Sequence, residues 1–226
     1  MTSEKRNFDS VNAVNGEKRN FDTAAATWDD KTRRLKLAND VSRAICETIG
    51  LSPEMDVLDF GCGTGLLTLQ IQPLVRSITG IDSSQGMLTV LEEKIRTQGL
   101  TNVTVRNIDL EQGMVPEGHY NLVVSSMTLH HIRDVRRVLE ILAQVLKPSG
   151  ALAIADLDSD NGKFHDTPEG VFHNGFDRCT MKKYFEAAGF TQIRNRTAAI
   201  VDKESPSGEV RPFTVFLMTG RKKNEE

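Results

Sequence analysis

An aspartate and three glycines stand together in the stretch VLDFGCGTG, residues 57–65. A short apolar run ends at Asp59, and Gly61, Gly63 and Gly65 follow at alternate positions. Glycine suits places where the backbone needs a positive φ or where a ligand touches the main chain. An acid at the carboxyl end of a strand lies where open α/β sheets bind ligands. The stretch therefore predicts a buried parallel strand, a glycine turn, the start of a helix and a small-molecule site.

The spacing of the glycines argues against two phosphate-binding motifs. The dinucleotide fingerprint G-x-G-x-x-G would need a glycine where Leu66 stands, and no Gly-Lys-Ser/Thr follows as in a P-loop. A tight turn without a ligand is the alternative, but one glycine would be enough for such a turn.

The stretch VLDFGCGTG resembles the first motif of class I S-adenosylmethionine-dependent methyltransferases, and the similarity runs from about Phe21 to Arg221. The small single-domain group that includes the ubiquinone/menaquinone C-methyltransferases is the most similar. The resemblance implies an α/β, Rossmann-like fold: a seven-stranded, mostly parallel sheet in the order 3-2-1-4-5-7-6 with helices on both faces. It also implies S-adenosylmethionine as the cofactor and S-adenosylhomocysteine as its product.

Two further acids follow predicted strands. Asp82 ends the second strand, near the distance of roughly 20 residues at which a ribose-binding acid follows a glycine motif. A carboxylate can accept from both ribose hydroxyls, although a helix cap is the alternative for Asp82. By resemblance, Asp109 accepts from the adenine amino group while Leu110 offers a neighbouring amide; a loop aspartate is the alternative.

The expected cofactor-binding set combines the glycine turn, the strand-end acids, the neighbours of the adenosine and one aromatic residue. Its members are Trp28, Asp59, Gly61, Cys62, Gly63, Gly65, Asp82, Ser83, Met87, Asp109, Leu110 and Ser125. Arg33 and Arg34 are candidates for the methionine carboxylate, with solvated helix charges as the simpler interpretation. No metal site is expected.

Methyl transfer from a sulfonium needs little acid–base chemistry, because the leaving group departs neutral. In-line positioning can lower the barrier by about 7–11 kcal/mol. A base adds about 10²–10⁴-fold only if the acceptor carries a proton when it reacts. His130 and His173 are the candidate catalytic residues, with His165 as a third possible base, and a structural role is the alternative for each.

The elements that would carry these residues divide the chain into one domain and two tails. Residues 1–20 are a polar tail with a duplicated EKRNFD, residues 21–221 the methyltransferase domain, and residues 222–226 a charged tail. Within the domain, 21–50 is expected to be an N-terminal helical lid around Trp28, with a plain core helix as the alternative. The polar insertion 158–178 is expected to cover the substrate, since long unstructured loops are often functional, with a plain connector as the alternative.

Composition limits the classes of partner. The 226 residues carry a net charge of −3 with a pI of about 6.0, unlike the basic surface of a nucleic-acid domain. The sequence has no apolar run long enough to span a membrane, and its three isolated cysteines suggest reduced thiols. We therefore expect a cytoplasmic enzyme, monomeric or homodimeric, that acts on a small molecule.

Other functions stay open from the sequence. A tRNA or protein acceptor is compatible with a local basic patch, and a catalytically silent S-adenosylmethionine-binding module would keep the same glycines and Asp82. A nicotinamide-dependent oxidoreductase is disfavoured by Leu66 and by the helical segment ahead of the first strand.

Overall fold

Among the described residues, seven segments form strands, and those in the middle of the sheet are short apolar runs such as Val57-Leu58 and Leu122-Val123-Val124. The structure, a computed structural model, describes residues 19–204 and 208–223, so most of the two expected tails lies outside it. The strands are β1 (Asp56–Phe60), β2 (Ser77–Asp82), β3 (Val103–Asn107), β4 (Tyr120–Ser126), β5 (Leu146–Leu157), β6 (Phe190–Glu204) and β7 (Val210–Lys222).

The strands form a single sheet in the order β3-β2-β1-β4-β5-β7-β6. The pairs among β1 to β5 are parallel, and β7 pairs antiparallel with both β5 and β6. The predicted order and the mostly parallel sheet are confirmed. Because β1, β2, β3 and β4 all run in the same direction, their carboxyl ends share one edge of the sheet, where the predicted site residues lie.

Within the described residues, five α-helices cover the sheet: α1 (Thr32–Ile49), α2 (Thr68–Ile71), α3 (Gln85–Gln98), α4 (Val135–Gln144) and α5 (Arg178–Ala187). Neighbouring residues of a strand point to opposite faces. Val57 and Leu122 therefore pack in a core with residues of α1 and α2, whereas Leu58 and Val123 pack in a second core with residues of α4 and α5. This two-sided burial confirms the predicted helices on both faces.

The helix after the glycine turn is shorter than its apolar sequence predicts. Only Thr68–Ile71 is α-helical, and a 3-10 turn, Gln72–Leu74, replaces the next turn. Pro73 has no backbone N–H and its ring crowds the preceding turn, so the α-helix ends before it.

Two segments lie beside the sheet edge. Residues before α1 form a 3-10 helix, Asp22–Asp30, that contains Trp28. The insertion between β5 and α5 is irregular, as predicted, and is closed at its base by the bridge between Asp158 and Phe176. Arg178 adds a two-pronged ion pair, its Nε and Nη2 each 2.7 Å from a carboxylate oxygen of Asp158.

Among the residues described, no helix combines the length and the apolar character that crossing a membrane would require.

Candidate active site

A cavity of about 300 Å³ opens at the carboxyl edge of the parallel strands. Residues that follow β1, β2, β3 and β4 form its floor, and the N-terminal segment, the insertion and β6 close it from the other side. Among the predicted cofactor residues, those that line it are Trp28, Asp59, Gly61, Cys62, Gly63, Asp82, Ser83, Met87, Asp109 and Leu110.

The glycine turn after β1 has the backbone that its sequence predicts. Gly61 and Gly63 have φ values of +71° and +54°. A Cβ on Gly61 would lie 2.2 Å from Oγ1 of Thr128, so this glycine is needed for close packing. A Cβ on Gly63 would meet nothing within 4 Å. Since Gly63 also lines the cavity, its open side is where a ligand can approach the main chain.

Asp82 is held at the cavity wall by two backbone amides. The Gly63 amide donates to its Oδ2 at 2.9 Å, and the Ser84 amide donates to its Oδ1 at 2.9 Å. The N-cap of α3 is Ser84, whose Oγ accepts from the Met87 amide at 3.2 Å. The helix-cap alternative for Asp82 is therefore wrong, and the carboxylate instead ties the glycine turn to the end of β2.

Asp59 is buried beneath the glycine turn, where its Oδ2 accepts from Oγ1 of Thr68 at 2.6 Å. Burial raises the pKa of Asp59 to about 7; the hydrogen bond from Thr68 opposes this shift and the charge of Asp82 adds to it. At neutral pH this carboxyl group lies near its midpoint, so a cation in the cavity would favour its charged form.

The raised pKa of Asp59 predicts a pH-dependent stability. An ordinary aspartate has a pKa near 3.8, so between about pH 4 and pH 7 the folded state holds a proton that the unfolded state has lost. The free energy of unfolding therefore falls as pH rises through this window. We expect the Asp59→Asn variant to lack this fall. Between pH 5 and pH 8, the free energy of unfolding should decrease by about 1–3 kcal/mol more in the wild type than in the variant. Urea unfolding of both proteins measures the difference, and parallel pH profiles would contradict it.

Asp109 forms the N-cap of a 3-10 turn, Leu110–Gln112, by accepting from the Glu111 amide at 3.1 Å. Gln112 Nε2 donates to its other oxygen at 3.0 Å. Asp109 therefore has a structural role as a cap, at a position where it also lines the cavity.

The N-terminal 3-10 helix is fastened over the glycine turn at both ends. Asp22 accepts from the Ser84 hydroxyl at 2.6 Å and from the Gly86 amide at 2.8 Å. Asp29 accepts from the Thr64 hydroxyl at 2.6 Å and pairs with Lys94. Trp28 lies between these two attachments and lines the cavity.

A histidine–aspartate pair lies below the other side of the cavity. His130 Nδ1 is 2.6 Å from Oδ1 of Asp156, and both side chains are buried. Asp156 also accepts from the Leu129 amide at 2.8 Å and the Leu157 amide at 2.7 Å. Burial acts to raise the pKa of Asp156, but the neighbouring His130 and the Leu157 amide outweigh it, so the pKa lies below its ordinary value.

Because Asp156 is therefore a carboxylate, Nδ1 of His130 carries the proton and donates it. When this ring is neutral, its basic lone pair is on Nε2, and His130 is one of the residues that line the cavity. Asp156 is absent from the sequence-based prediction, although it ends a buried strand just as Asp59 and Asp82 do.

Two more histidines line the cavity beside His130. The ring centroids of His131 and His165 lie 4.1 and 4.9 Å from that of His130. Burial lowers the pKa of His131 to about 3, with the charge of His130 adding to the shift, and lowers the pKa of His165 to about 4 in the same way. Both rings are therefore neutral at neutral pH. Nε2 of His165 is buried without a hydrogen-bond partner among the described residues.

Three residues expected at the site do not line the cavity. Ser125 faces inward on β4 and donates to the Phe60 carbonyl at 2.8 Å, so its neighbour Ser126 lines the cavity instead. Gly65 packs under α3, where a Cβ would lie 2.3 Å from Leu91.

His173 is the third, because its Nε2 donates to the Ile132 carbonyl at 2.8 Å and its ring packs against Phe176. The predicted roles of these residues in the site are therefore not supported. The insertion reaches the cavity through Phe164, His165, Asp166 and Thr167 instead.

The comparisons with known proteins agree with this geometry. Residues 57–150 match a family described as "Methyltransferase domain". An uncharacterized methyltransferase of Schizosaccharomyces pombe, C1347.09, is 35% identical over 173 residues, which cover 70% of this chain and 61% of that protein. The ubiquinone/menaquinone biosynthesis C-methyltransferase UbiE of Shewanella sediminis is 30% identical over 134 residues, 58% of this chain and 52% of that protein. The chain thus spans less than two thirds of the length of these relatives.

A solved structure extends the similarity to the fold. Phosphoethanolamine N-methyltransferase 2 of Haemonchus contortus, in complex with S-adenosyl-L-methionine, has a TM-score of 0.66 to this chain. The two are 14% identical, and the alignment covers 90% of this chain and 60% of the other. Residues 57–150 are therefore similar to the methyltransferase domain, and the chain shares the fold of this S-adenosyl-L-methionine-bound enzyme.

Proposed function

We propose that this protein transfers a methyl group from S-adenosylmethionine to a small-molecule acceptor. The observation that carries the proposal is the glycine turn in the matched methyltransferase domain, fixed by the Gly63 amide on Asp82 at the edge of the cavity.

The residues around the turn fit the parts of S-adenosylmethionine. Asp82 is the acceptor for the ribose hydroxyls, with Ser83 and Met87 beside the adenosine, while Asp109 and Leu110 hold the adenine. The open side of Gly63 leaves room for the methionine portion against the main chain. Asp59 favours a positively charged ligand over a neutral one. Its pKa is about 7, so a nearby cation shifts the carboxyl group towards its charged form.

When bound, S-adenosylmethionine supplies an electrophilic methyl group whose transfer releases a neutral thioether. The protein's own part is to hold the acceptor in line with that group and to exclude water. Trp28 and Phe21 close the cavity on the N-terminal side, their ring centroids 5.8 Å apart. The attachments through Asp22 and Asp29 keep this cover over the glycine turn.

His130 is the base for an acceptor that must lose a proton. Its Nε2 takes the proton from the acceptor, while Asp156 holds the ring through Nδ1 and stabilises the cation that forms. The hydrogen bond at 2.6 Å fixes both the tautomer and the direction of the ring. This arrangement supports catalysis over a silent binding module, since binding alone has no use for an oriented base.

A small molecule suits the cavity better than a macromolecule. Its volume of about 300 Å³ lies at the lower end of the range of about 300–1,000 Å³ that is typical of small-ligand pockets. Segments from both sides of the sheet edge cover it, whereas a tRNA or protein acceptor would need an open approach.

Asp82→Ala tests the proposed cofactor site. A hydrogen bond to a charged acceptor contributes about 1.5–3 kcal/mol to the free energy of binding. The affinity for S-adenosylhomocysteine, measured by calorimetry, should therefore fall at least about tenfold. Asp134→Ala is a matched control, since Asp134 caps α4 by accepting from the Arg137 amide and is not among the residues that line the cavity. Equal affinity of the Asp82 variant and the wild type, or tight binding of NAD without any binding of S-adenosylhomocysteine, would refute the proposed site.

A further inference from the structure

The charges that line the cavity are separated in space. Three acids lie at the carboxyl ends of the first three strands: Asp59 within β1, Asp82 as the last residue of β2, and Asp109 just after β3. Basic side chains come from the N-terminal segment and from β6: Arg19, Lys31, Arg33, Arg34 and Lys203, here called the basic wall. The whole chain carries a net charge of −3, so the basic wall is a local feature that overall composition does not explain.

Lys203 is the most enclosed of these cations. Its side chain is 10% exposed, and its Nζ donates to the Phe164 carbonyl and lies 2.6 Å from Oδ1 of Asp166. Burying an ammonium group is costly unless it is paired. Asp166 is a weak partner for that purpose, because 77% of its side chain is exposed to water.

Three cations converge on Asp166. The hydrogen bond from Lys203 lowers the pKa of Asp166, and the charges of Arg33 and Lys31 act in the same direction. Neither Lys31 nor Arg33 has a side-chain hydrogen bond or ion pair within the part of the chain that the structure describes. Asp166 is therefore under the influence of three positive charges at this end of the cavity.

The other two cations are differently engaged. The Arg34 guanidinium lies 3.5 Å from the centre of the Trp28 ring and donates to the Trp28 carbonyl at 2.8 Å. Arg19 lies over Phe21, 5.3 Å from its ring centre. These two arginines belong to the cover that Trp28 and Phe21 form. One of them is enough to pair with the single carboxylate of the cofactor.

An unsatisfied group lies in the same part of the cavity. Nε2 of His165 is buried without a partner among the described residues, although His165 follows Phe164, whose carbonyl accepts from Lys203. Buried polar atoms are normally hydrogen-bonded. This nitrogen has no surface open to the cavity, so the positive charges, and not this atom, point to an anion.

We propose that Lys203, Arg33 and Lys31 bind an anionic group of the methyl acceptor, a carboxylate or a phosphate. This inference rests on the proposed methyltransferase function and defines its substrate class as small acids. The rings of His130, His131 and His165 lie between this anion site and the glycine turn. His130 is therefore placed beside the part of the acceptor that is methylated.

A matched ligand screen on the protein saturated with S-adenosylhomocysteine tests the inference. The probes are small aromatic and aliphatic carboxylates and phosphate monoesters at millimolar concentration, each paired with its neutral amide or alcohol, with binding read by calorimetry. We expect the acids to bind and their neutral partners to bind at least about tenfold more weakly, since each charged contact is worth that much.

Variants then assign the anion to the basic wall. Lys203→Met and Arg33→Gln should each weaken binding of the best acid by about tenfold, whereas Lys203→Arg should restore most of it. Arg43→Gln is the control, because Arg43 lies on α1 and pairs with Asp40. Arg33→Gln changes a partly exposed position on a helix, so it still tests the inference if Lys203→Met does not fold.

The outcomes separate this inference from the proposed function. Equal binding of acids and neutral partners, no binding of any acid, or acid binding unchanged in both variants would overturn it while S-adenosylhomocysteine still binds. A loss of S-adenosylhomocysteine affinity in Arg33→Gln, with acid binding intact, would assign that cation to the cofactor and overturn its role here. Failure of the wild type to bind S-adenosylhomocysteine would instead refute the methyltransferase proposal.

Discussion

His130→Asn should lower the rate of methyl transfer by about 10²–10⁴-fold, the usual contribution of a general base. Asparagine can keep the hydrogen bond to buried Asp156 through its amide N–H, but it has no nitrogen in the place of Nε2. The fold and the affinity for S-adenosylhomocysteine should therefore be retained. The rate is measured as release of S-adenosylhomocysteine with an acceptor found in the ligand screen.

Two comparisons make this prediction specific. Asp156→Asn should also lower the rate, because an amide can donate to Nδ1 of His130 and turn the ring to the wrong tautomer. His173→Gln should leave the rate unchanged, since Nε2 of His173 donates to the Ile132 carbonyl outside the cavity. A wild-type rate in His130→Asn would show that the acceptor reacts without help from this base.

Gly63→Val should abolish binding of S-adenosylhomocysteine. The backbone at Gly63 has a φ of +54°, which costs a β-branched residue strain, and the new side chain would project into the open cavity. Backbone strain alone would lower the stability of the folded variant but would not prevent the ligand from binding to it. Calorimetry at a temperature where the variant is folded measures the affinity.

Gly99→Val is a matched control for the backbone strain. Gly99 has a φ of +63°, a Cβ there would also meet nothing within 4 Å, and the residue ends α3 away from the cavity. Both valine variants should lose similar stability, and only Gly63→Val should lose the ligand. Binding in Gly63→Val as tight as in Gly99→Val would mean that no ligand approaches the main chain at this turn.

The glycine turn could be predicted because its signal is local, whereas the sheet order was implied by the family resemblance that this turn carries. Alternate glycines after an acid at the end of a strand predict a tight turn between the strand and a helix. The apolar run before them predicts that the strand is buried in a parallel sheet. Asp82 could be found in the same way, since it also ends a strand. Each of these positions depends on residues that are near in the sequence.

The pairing of His130 with Asp156 could not be predicted, because it depends on the register of two strands. Ser126 of β4 pairs with Ala155 of β5, and this places the residues after one strand beside Asp156. No pattern within either strand specifies that alignment.

The histidines of the insertion illustrate the same limit. His165 and His173 occur in similar polar and aromatic surroundings. The Ser159 amide, however, donates to the Phe176 carbonyl and the Asp160 amide to the Asn174 carbonyl. These contacts fold the second half of the insertion back against its first residues, so Phe164 and His165 reach the cavity and His173 does not.

The position of β7 imposes an order on the folding of the nascent chain. β6 joins the sheet only through β7, which lies between β5 and β6 although it is made later. Since the ribosome delivers the chain from its N-terminus, β6 and its Lys203 have no strand to pair with until Val210–Lys222 has emerged. β1, β2 and β3, which position Asp59, Asp82 and Asp109, are all complete by then. During synthesis the acidic side of the cavity can thus form first, and Lys203 is the last of its charged residues to be placed.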